Sequence, residues 1–410
     1  MMKRFGDDKM ELNFMQGVAS EKFQKWFKDP SIRKRKWFEI SGPAGSGKTT
    51  VVKHIIGSLG LNIDNVLFMA YVGKAALALR LSGVNGKTIH CSVYDIKEIP
   101  KKNKDGETVL DENGKPIMET KFVKKLALPD NIELLVVDEG GMVATDIGND
   151  ILSFNIPTLV LGDLNQLPPV FGQSLFLHHP DVILNEIMRQ KKDSPIIYLS
   201  QLAIHGIPIN YGVYGNGEAK VIRKTELTDE MLTDADLVIC STNYMRDNIN
   251  WYIRKFIYEI DEPYVVAGDK IICRKNCWNI LLDDKSLGTD ISLVNGMIGN
   301  VVSTDSNNSK KNLNMHIDFK PEFSDKSFNR LPINSNYILS PYADRLNVNP
   351  RFAPFIPFEL GYCSTCHLAQ GSQYPNIIVY VDSTYSTSEY FCRWLYTAIT
   401  RAKLYLTIVV

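Results

Sequence analysis

Short apolar runs alternate with amphipathic stretches along the first half of the chain. The runs occupy positions 37–40, 65–70, 134–137 and 158–161. Strands covered by helices on both faces have this pattern, because neither face needs to alternate with polar residues. Apolar residues recur at helical spacing between the runs, most clearly over 51–59, where Gly60 supplies a stop signal. The pattern predicts a parallel α/β domain.

The second half repeats this arrangement with apolar runs at 237–240, 377–381 and 404–410. Residues 268–357 interrupt it with short β-like pieces and a polar low-complexity loop. We therefore predict an α/β protein of two parallel-sheet domains, 1–182 and 183–410. The second domain carries a small β-barrel-like, SH3-like insertion over about 268–357.

A charged segment within the first domain has a different pattern. Lys, Asp and Glu dominate residues 94–123, and Asn113-Gly114 is a strong turn signal. We predict a β-hairpin insertion over about 92–126, in which Thr108–Leu110 faces Ile117–Met118. The alternative is a solvated insertion without a function.

Composition narrows the possible partners only slightly. Lys plus Arg and Asp plus Glu both number 46, so a nucleic-acid partner would have to bind a local basic track. The charged N-terminus lacks the apolar core of a signal peptide, and no apolar run approaches membrane-spanning length. We expect a soluble, cytoplasmic protein that does not bind membranes.

Seven cysteines are expected to stay reduced in that compartment. Cys273 with Cys277 and Cys363 with Cys366 have spacings that could suggest a zinc site. Buried small thiols are the favoured interpretation, because each pair lies in a segment with another explanation.

A glycine-rich loop between the first strand and the next helix fits the pattern G-x-x-x-x-G-K-[ST]. Its backbone N–H groups can turn toward a triphosphate where no Cβ obstructs them, and the helix N-terminus favours negative charge. Lys48 is expected to reach the β and γ phosphates, and the Thr49 hydroxyl to hold Mg²⁺. The predicted nucleotide-binding residues here are Gly42, Pro43, Ala44, Gly45, Ser46, Gly47, Lys48, Thr49 and Thr50.

Acidic and amide side chains follow two later strands. Asp138 and Glu139 come directly after the run 134–137, and Gln166 follows the run 158–161. At the carboxyl ends of parallel strands, Asp138 can hold Mg²⁺ and Glu139 can act as a general base toward water. Gln166 can sense the γ phosphate or the attacking water.

With these motifs in order, the chain resembles superfamily 1 DNA helicases of the RecD-like branch, including small phage-encoded helicases. The matching segments, in chain order, are Gln16, Gly42–Thr50, Ala70–Ala76, Thr88–His90, Val137–Met142, Gly162–Val170, Met188–Gln190, Ser241–Asn243 with Asn250, Asn295–Gly299, Tyr362–Ser372 and Tyr396–Lys403. The sequence departs from the family at Tyr71-Val72, Gly141 and Leu368, which affects the expected DNA path and coupling more than the reaction.

The resemblance implies two RecA-like domains with ATP and Mg²⁺ at their cleft. It implies that Gln16 reads adenine, that Gly371 contacts the nucleotide, and that Arg189 and Arg401 reach the γ phosphate from the second domain. It implies DNA contacts from Lys74, Thr88, His90, Thr242, Asn243, Thr365 and His367.

The implied activity is ATP-driven 5′-to-3′ translocation on single-stranded DNA with unwinding of forks, by a monomer. Replication or recombination proteins are its expected protein partners. The hairpin would separate strands sterically, because its tip, 112–115, has no aromatic residue. Two alternatives remain open: a DNA-dependent ATPase that strips or remodels protein–DNA complexes, and a nucleotide-gated binding module.

Overall fold

The computed structural model describes residues 12–410 except 101, 104–105, 111–113, 117, 170–171, 186–193, 285–290, 306–313, 349–352 and 382–386. At 96, 98 and 118–120 only the backbone is described.

The first half of the chain forms a six-stranded parallel sheet with helices on both faces. Its strands, with those of the hairpin, are β1 (Trp37–Ser41), β2 (Val66–Ala70), β3 (Gly86–Thr88), β4 (Tyr94–Pro100), β5 (Met118–Lys124), β6 (Leu134–Asp138), β7 (Thr158–Gly162) and β8 (Val182–Ile183). Its helices are α1 (Phe14–Lys28), α2 (Lys48–Leu59), α3 (Gly73–Leu81), α4 (Ile89–Val93) and α5 (Thr145–Leu152), with 3₁₀ turns at Pro30–Ile32, Ile63–Asn65 and Gly140–Met142. The strand order is β3-β2-β6-β7-β1-β8, and two apolar clusters cover the two faces.

Local signals explain where the first helices begin and end. Asn13 and Gln16 form a capping box at the start of α1, each side chain bonding the other's backbone N–H. Gly60 ends α2 in the left-handed region at φ 67°, as the sequence predicts.

The second half forms another α/β domain with a β-rich insertion. Its strands are β9 (Gly212–Tyr214), β10 (Ala219–Ile222), β11 (Leu237–Cys240), β12 (Lys270–Cys273), β13 (Cys277–Leu282), β14 (Ile291–Leu293), β15 (Ile298–Thr304), β16 (Asn314–Pro321), β17 (Phe328–Asn334), β18 (Phe358–Leu360), β19 (Cys363–Thr365), β20 (Tyr374–Tyr380) and β21 (Ala402–Val409). Its helices are α6 (Pro195–Ile204), α7 (Asp229–Asp234), α8 (Asn243–Tyr252), α9 (Ser335–Leu339), α10 (Tyr342–Arg345), α11 (Cys366–Ala369) and α12 (Glu389–Ile399), with a π turn at Ile253–Ile257 and a 3₁₀ turn at Lys224–Glu226.

The second sheet has the order β19-β11-β20-β21-β10-β9 and is parallel except for the pair β9–β10. The insertion is a five-stranded antiparallel sheet in the order β17-β16-β15-β12-β18, beside the pair β13–β14. Phe319 packs against Phe328 and Phe358 in its core. The predicted fold of two parallel α/β domains is confirmed.

Two limits differ from those expected. Strand β8 pairs with β1, so Ile183 belongs to the first sheet although the predicted boundary falls before it. Strand β18 completes the inserted sheet just beyond the predicted end at 357. Strands of two or three residues are too short for hydrophobic periodicity to reveal them.

The hairpin is present with a different register. β4 and β5 pair from Tyr94↔Lys124 to Pro100↔Met118, and two bridges, Lys102↔Thr108 and Leu110↔Pro116, lie beyond. The expected partner Ile117 lies outside the described residues. The Asn113-Gly114 signal lies between the paired residues Leu110 and Pro116, but it did not predict the second reversal between Lys102 and Thr108, and charged flanks without alternation could not fix the register.

All seven cysteines are free, and six are buried. Burial raises the pKa of the Cys273 and Cys366 thiols to about 12. In the described part of the chain, no three His, Cys, Asp or Glu side chains group as metal ligands would. None of the described helices is both long and apolar enough to cross a bilayer.

Candidate active site between the two α/β domains

The loops that follow β2, β6, β7 and β1 meet along one edge of the first sheet, because these strands are parallel and adjacent. The loop after β1 has the shape of a phosphate cradle. Gly45 and Gly47 take φ of 85° and 80°, which disfavours any residue with a Cβ. A Cβ on Gly42 would lie 2.6 Å from Ser46 Oγ. The backbone conformation therefore favours glycine at 45 and 47, and the Ser46 side chain crowds any larger residue at 42.

Lys48 begins α2 and folds back over this loop. Its Nζ donates hydrogen bonds to the carbonyl oxygens of Gly42 at 2.6 Å and Pro43 at 3.1 Å. Thr49 and Thr50 lie in the same first helical turn. The amine, the loop N–H groups and the helix N-terminus therefore converge on one small region suited to an anion.

Gln16 supports the loop from behind. It is buried, and its Nε2 donates to the Ser46 carbonyl at 3.0 Å while its Oε1 accepts from the Asn13 N–H at 3.0 Å. A Cβ on Gly47 would lie 2.4 Å from that Nε2. Each end of the amide has one partner, which leaves one N–H and one lone pair for contact with adenine.

Asp138 and Glu139 end β6 beside Lys48. Glu139 has a left-handed backbone at φ 52°, an uncommon conformation for a residue with a side chain and one found more often at functional sites. Burial raises the pKa of Asp138, and the Lys48 charge opposes this shift. Burial and the Asp138 carboxylate also raise the pKa of Glu139, whereas Arg401 and Lys48 lower it. A carboxylate with a raised pKa suits proton abstraction from water.

The loop after β7 joins the two domains. Asp163 Oδ2 accepts a hydrogen bond from the Tyr396 hydroxyl at 2.8 Å, and Leu167 N–H donates to Thr397 Oγ1 at 3.0 Å. Gln166 is buried in this loop, with its Nε2 3.5 Å from Asp163 Oδ2. The prediction missed Asp163, Tyr396 and Thr397 as site residues. They stand inside recognised motifs, but only the tertiary structure shows that their polar groups pair across the cleft.

Arg401 lies at the turn between α12 and β21 and is only 2% exposed. Its guanidinium donates to the Thr397 carbonyl at 3.0 Å, the Ser372 carbonyl at 3.1 Å and Thr400 Oγ1 at 3.2 Å. Its charge acts on Glu139, as the pKa of that carboxyl records. The structure thus brings Arg401 and Lys48 to the same carboxylate, that of Glu139. Arg189 lies outside the described residues.

Lys74, predicted to contact DNA, lies instead at a junction of three parts of the molecule. Its ammonium hydrogen-bonds the Tyr374 hydroxyl of the second domain and lies 4.8 Å from the centre of that ring. Burial lowers its pKa to about 8, with Lys270 adding to the effect and Glu322 opposing it. Gly371, predicted to contact the nucleotide, packs here too, since a Cβ on it would lie 3.1 Å from Ala75 Cβ.

Two of the other residues predicted to contact DNA cap helices with their side chains. Thr88 accepts from Cys91 N–H at the start of α4, and Thr242 accepts from Met245 N–H at the start of α8. Asn243 opens α8, and Thr365 is buried immediately before α11. The hydroxyls of Thr88 and Thr242 therefore have structural tasks, and the neighbouring helix N-termini remain as groups that suit phosphate.

The two histidines predicted to contact DNA differ in their surroundings. His90 lies in an aromatic cluster at the base of the hairpin, 5.7 Å from the Tyr94 ring and 5.2 Å from the Phe122 ring. His367 is partly buried, and burial lowers its pKa, so its ring is neutral at neutral pH.

A cavity of about 230 Å³ opens beside the phosphate loop, between the two domains. Pro43 and Ala44 line one side, and Ile196, Ile197 and Lys403 line the other. Its mostly apolar walls with few polar groups are typical of a small-molecule site.

Comparisons with known proteins agree with this geometry. Residues 30–212 match the family model of an AAA domain, and residues 360–409 match that of the UvrD-like helicase C-terminal domain. The ATP-dependent DNA helicase dda of Enterobacteria phage T4 is 28% identical over 291 residues, which cover 65% of this chain. The matched region spans 62% of that helicase, less than two thirds of its length.

Solved structures of Pif1 helicases have the same fold. The Bacteroides Pif1 bound to single-stranded DNA has a TM-score of 0.56 at 19% identity, covering 98% of this chain and 92% of that one. The Candida albicans Pif1 has a TM-score of 0.54 at 15% identity, covering 98% of this chain and 94% of that one. The predicted resemblance to superfamily 1 helicases, with a phage-encoded relative, is confirmed.

Proposed function

We propose that the chain is an ATP-dependent DNA helicase of superfamily 1, which hydrolyses ATP in the cleft and translocates 5′ to 3′ on single-stranded DNA. One observation carries the proposal. Lys48 of the first domain and Arg401 of the second both lower the pKa of the Glu139 carboxyl, so charges from both domains meet at this one group. Two domains that each hold part of a hydrolytic site can convert turnover into relative motion.

The residues present fit a magnesium nucleotide. The glycine cradle is too tight for a Cβ, and buried Ser46 Oγ has no hydrogen-bond partner within the described part of the chain. The loop N–H groups and Lys48 would hold the phosphates, Thr49 and Asp138 would hold Mg²⁺, and Gln16 would face the adenine. Bound Mg²⁺ supplies charge neutralisation at the β and γ phosphates.

Glu139 is assigned as the base that takes a proton from water, and Gln166 orients that water. Arg401, with Arg189, stabilises negative charge on the transferring phosphoryl group. Three of the five N–H donors of the Arg401 guanidinium bond its own domain, which leaves two for a phosphate oxygen. Because Arg401 belongs to the second domain, its contribution is sensitive to cleft closure.

Cross-cleft hydrogen bonds provide the route from chemistry to motion. The loop 163–167 follows β7, which lies beside β1 in the sheet, and bonds directly to Tyr396 and Thr397. A shift in this loop therefore moves α12 and the second domain with it. DNA held alternately by the two domains would advance, through contacts from Thr88, His90, Thr242, Asn243, Thr365 and His367. Lys74 would join them on release from Tyr374.

We also propose two domains with the predicted limit at 182 moved to 183, because Ile183 pairs within the first sheet. We further propose a strand-separating role for the hairpin, an SH3-like insertion, and work as a monomer in the cytoplasm, that of the host if phage-encoded. DNA forks and replication or recombination proteins are the proposed partners. A stripping ATPase would share the cleft but unwind poorly, and a gated binding module would not need Glu139 or Arg401.

The decisive experiment measures ATPase activity with and without single-stranded DNA, and unwinding of forks with a 5′ or a 3′ tail. The proposal expects DNA-stimulated hydrolysis and unwinding only with a 5′ loading tail. Glu139→Gln should bind ATP yet turn over about 100-fold more slowly or worse. Hydrolysis without unwinding would favour the stripping ATPase. DNA binding gated by ATP, without turnover, would favour the binding module.

A further inference from the structure

Gln370 is a buried amide of the second domain that none of the steps above uses. It follows α11, and only 1% of its surface is exposed. Its Nε2 lies 3.5 Å from the Leu167 carbonyl oxygen, in the loop after β7 of the first domain. The side chain therefore crosses the cleft and ends beside the loop that carries Gln166.

Three buried polar atoms beside this cleft have no hydrogen-bond partner among the described residues. They are Oε1 of Gln370, Oε1 of Gln166 and Oγ of Ser46. Buried polar groups in native proteins are nearly always paired, so each marks a place where a ligand or an ordered water completes the bonding.

The chemistry of an amide oxygen narrows the choice of ligand. It accepts hydrogen bonds, so it cannot pair with an ionised phosphate oxygen, which is also an acceptor. The donors available in a nucleotide hydrolysis site are the attacking water, the ribose hydroxyls and the adenine amino group. The attacking water loses one proton to the base, and its second O–H still needs a hydrogen-bond acceptor while the oxygen attacks.

The neighbours of Gln370 favour the water. Ser372, two residues further on, accepts a hydrogen bond from Arg401 at 3.1 Å. The charge of Arg401 in turn acts on Glu139, the assigned base. Gln370 therefore stands in the part of the cleft where the γ phosphate and its attacking water are expected, beside Gln166.

We propose that Oε1 of Gln370 accepts a hydrogen bond from the attacking water, and so completes from the second domain the site that Glu139 and Gln166 begin in the first. This rests on the proposed ATP hydrolysis. The water oxygen bonds to the γ phosphorus as the bond to the β–γ bridging oxygen breaks. One water proton passes to Glu139, and the other stays on the new phosphate hydroxyl, which Gln370 holds. Because Gln370 arrives with the second domain, the water is oriented only in the closed cleft.

The test is Gln370→Met, which keeps the length of the side chain and removes the acceptor. We expect kcat of the DNA-stimulated ATPase to fall about 100-fold, with KM for ATP changed by less than about threefold. Affinity for ADP should stay unchanged, whereas affinity for ADP with aluminium fluoride, which mimics the transition state, should fall at least about tenfold. Gln24→Met is the control, because it removes a partly buried amide from α1 about 12 Å along the helix from Gln16.

Three results would overturn the proposal. The first is a kcat for Gln370→Met within about twofold of the parent chain. The second is a raised KM for ATP but not for 2′-deoxy-ATP, which would assign the amide to the ribose. The third is a loss of ADP affinity together with a lower melting temperature. That result would assign Gln370 a structural role only, through its contact with the Leu167 carbonyl. If the parent chain does not hydrolyse ATP, that result refutes the proposed function itself, and with it the role of Gln370.

Discussion

Tyr396→Phe isolates the hydrogen bond that joins the two domains beside the γ-phosphate region. The hydroxyl donates to Asp163 Oδ2 at 2.8 Å, and both residues are buried, with 1% and 6% of their surfaces exposed. The substitution removes one oxygen and keeps the ring, so packing against the second domain is preserved. The Asp163 carboxylate would then retain the hydrogen bond from Asn165 N–H and the 3.5 Å contact with Gln166 Nε2.

The size of the effect follows from the charge and burial of this pair. A buried hydrogen bond to a charged group is worth about 1.5–3 kcal/mol, and 1.4 kcal/mol corresponds to tenfold in an equilibrium. Since the bond spans the cleft, its loss weakens the closed arrangement rather than either core. We expect kcat of the DNA-stimulated ATPase to fall by about 10- to 100-fold. Nucleotide binding to the first domain should be little changed.

A matched control is available in Tyr252→Phe. The Tyr252 hydroxyl donates to Asp229 Oδ1 at 2.9 Å, but that pair is exposed and lies within the second domain. The control should leave kcat unchanged, because an exposed bond exchanges with water. Steady-state ATPase with saturating single-stranded DNA measures both variants, and fluorescent nucleotide binding checks the first domain. If Tyr396→Phe retains kcat within about twofold, the reasoning that this bond couples the domains is refuted.

Further predictions test other parts of the molecule. Burial and the Asp138 carboxylate raise the pKa of Glu139, so kcat should fall through protonation of the base at a pH above the usual 4.5 of Glu; an acid limb at or below 4.5 in the kcat–pH profile would argue against this. Glu359→Gln removes the carboxylate that Arg246, Arg274 and Arg345 surround, and should lower the free energy of unfolding by about 3–5 kcal/mol in urea titrations, whereas Glu21→Gln, in an exposed pair with Lys25, should have no measurable effect. Burial lowers the pKa of Lys74 from 10.5 to about 8, so its buried charge destabilises the fold fully below pH 8 and progressively less as the pH rises toward 10.5. Lys74→Met should therefore raise the melting temperature more at pH 7 than at pH 10. An equal rise at both pH values would contradict the assignment. Deleting residues 108–118 should abolish fork unwinding and spare DNA-stimulated ATPase, and normal unwinding would remove the hairpin from the mechanism.

The sequence predicted most of the first domain because its signals are local. Continuous apolar runs identify buried strands, and Gly60 ends α2 by a backbone conformation that favours glycine. The spacing of Gly42, Gly47 and Lys48 is likewise a property of consecutive residues, so the phosphate loop could be recognised without knowledge of distant contacts. The same holds for Asp138 and Glu139, which directly follow an apolar strand.

Contacts between residues far apart in the chain needed the tertiary structure. Lys74 lies in a motif expected to contact DNA. Because α3 packs against the second domain, its ammonium instead hydrogen-bonds the Tyr374 hydroxyl. Thr88 and Thr242 were expected at phosphates, and their side chains cap helices instead. A motif specifies a residue type and a neighbourhood, but it does not specify which partner a side chain selects.

By itself, the sequence determined the two α/β units, the phosphate loop and the carboxylates, because each depends on hydrogen bonding and burial within a few consecutive residues. Only the tertiary structure decided that Asp163 meets Tyr396, that Arg401 acts on Glu139, and that Gln370 reaches Leu167. Each of these pairs joins segments more than 200 residues apart, and their meeting depends on how two separately folded sheets pack against each other, which no local pattern encodes.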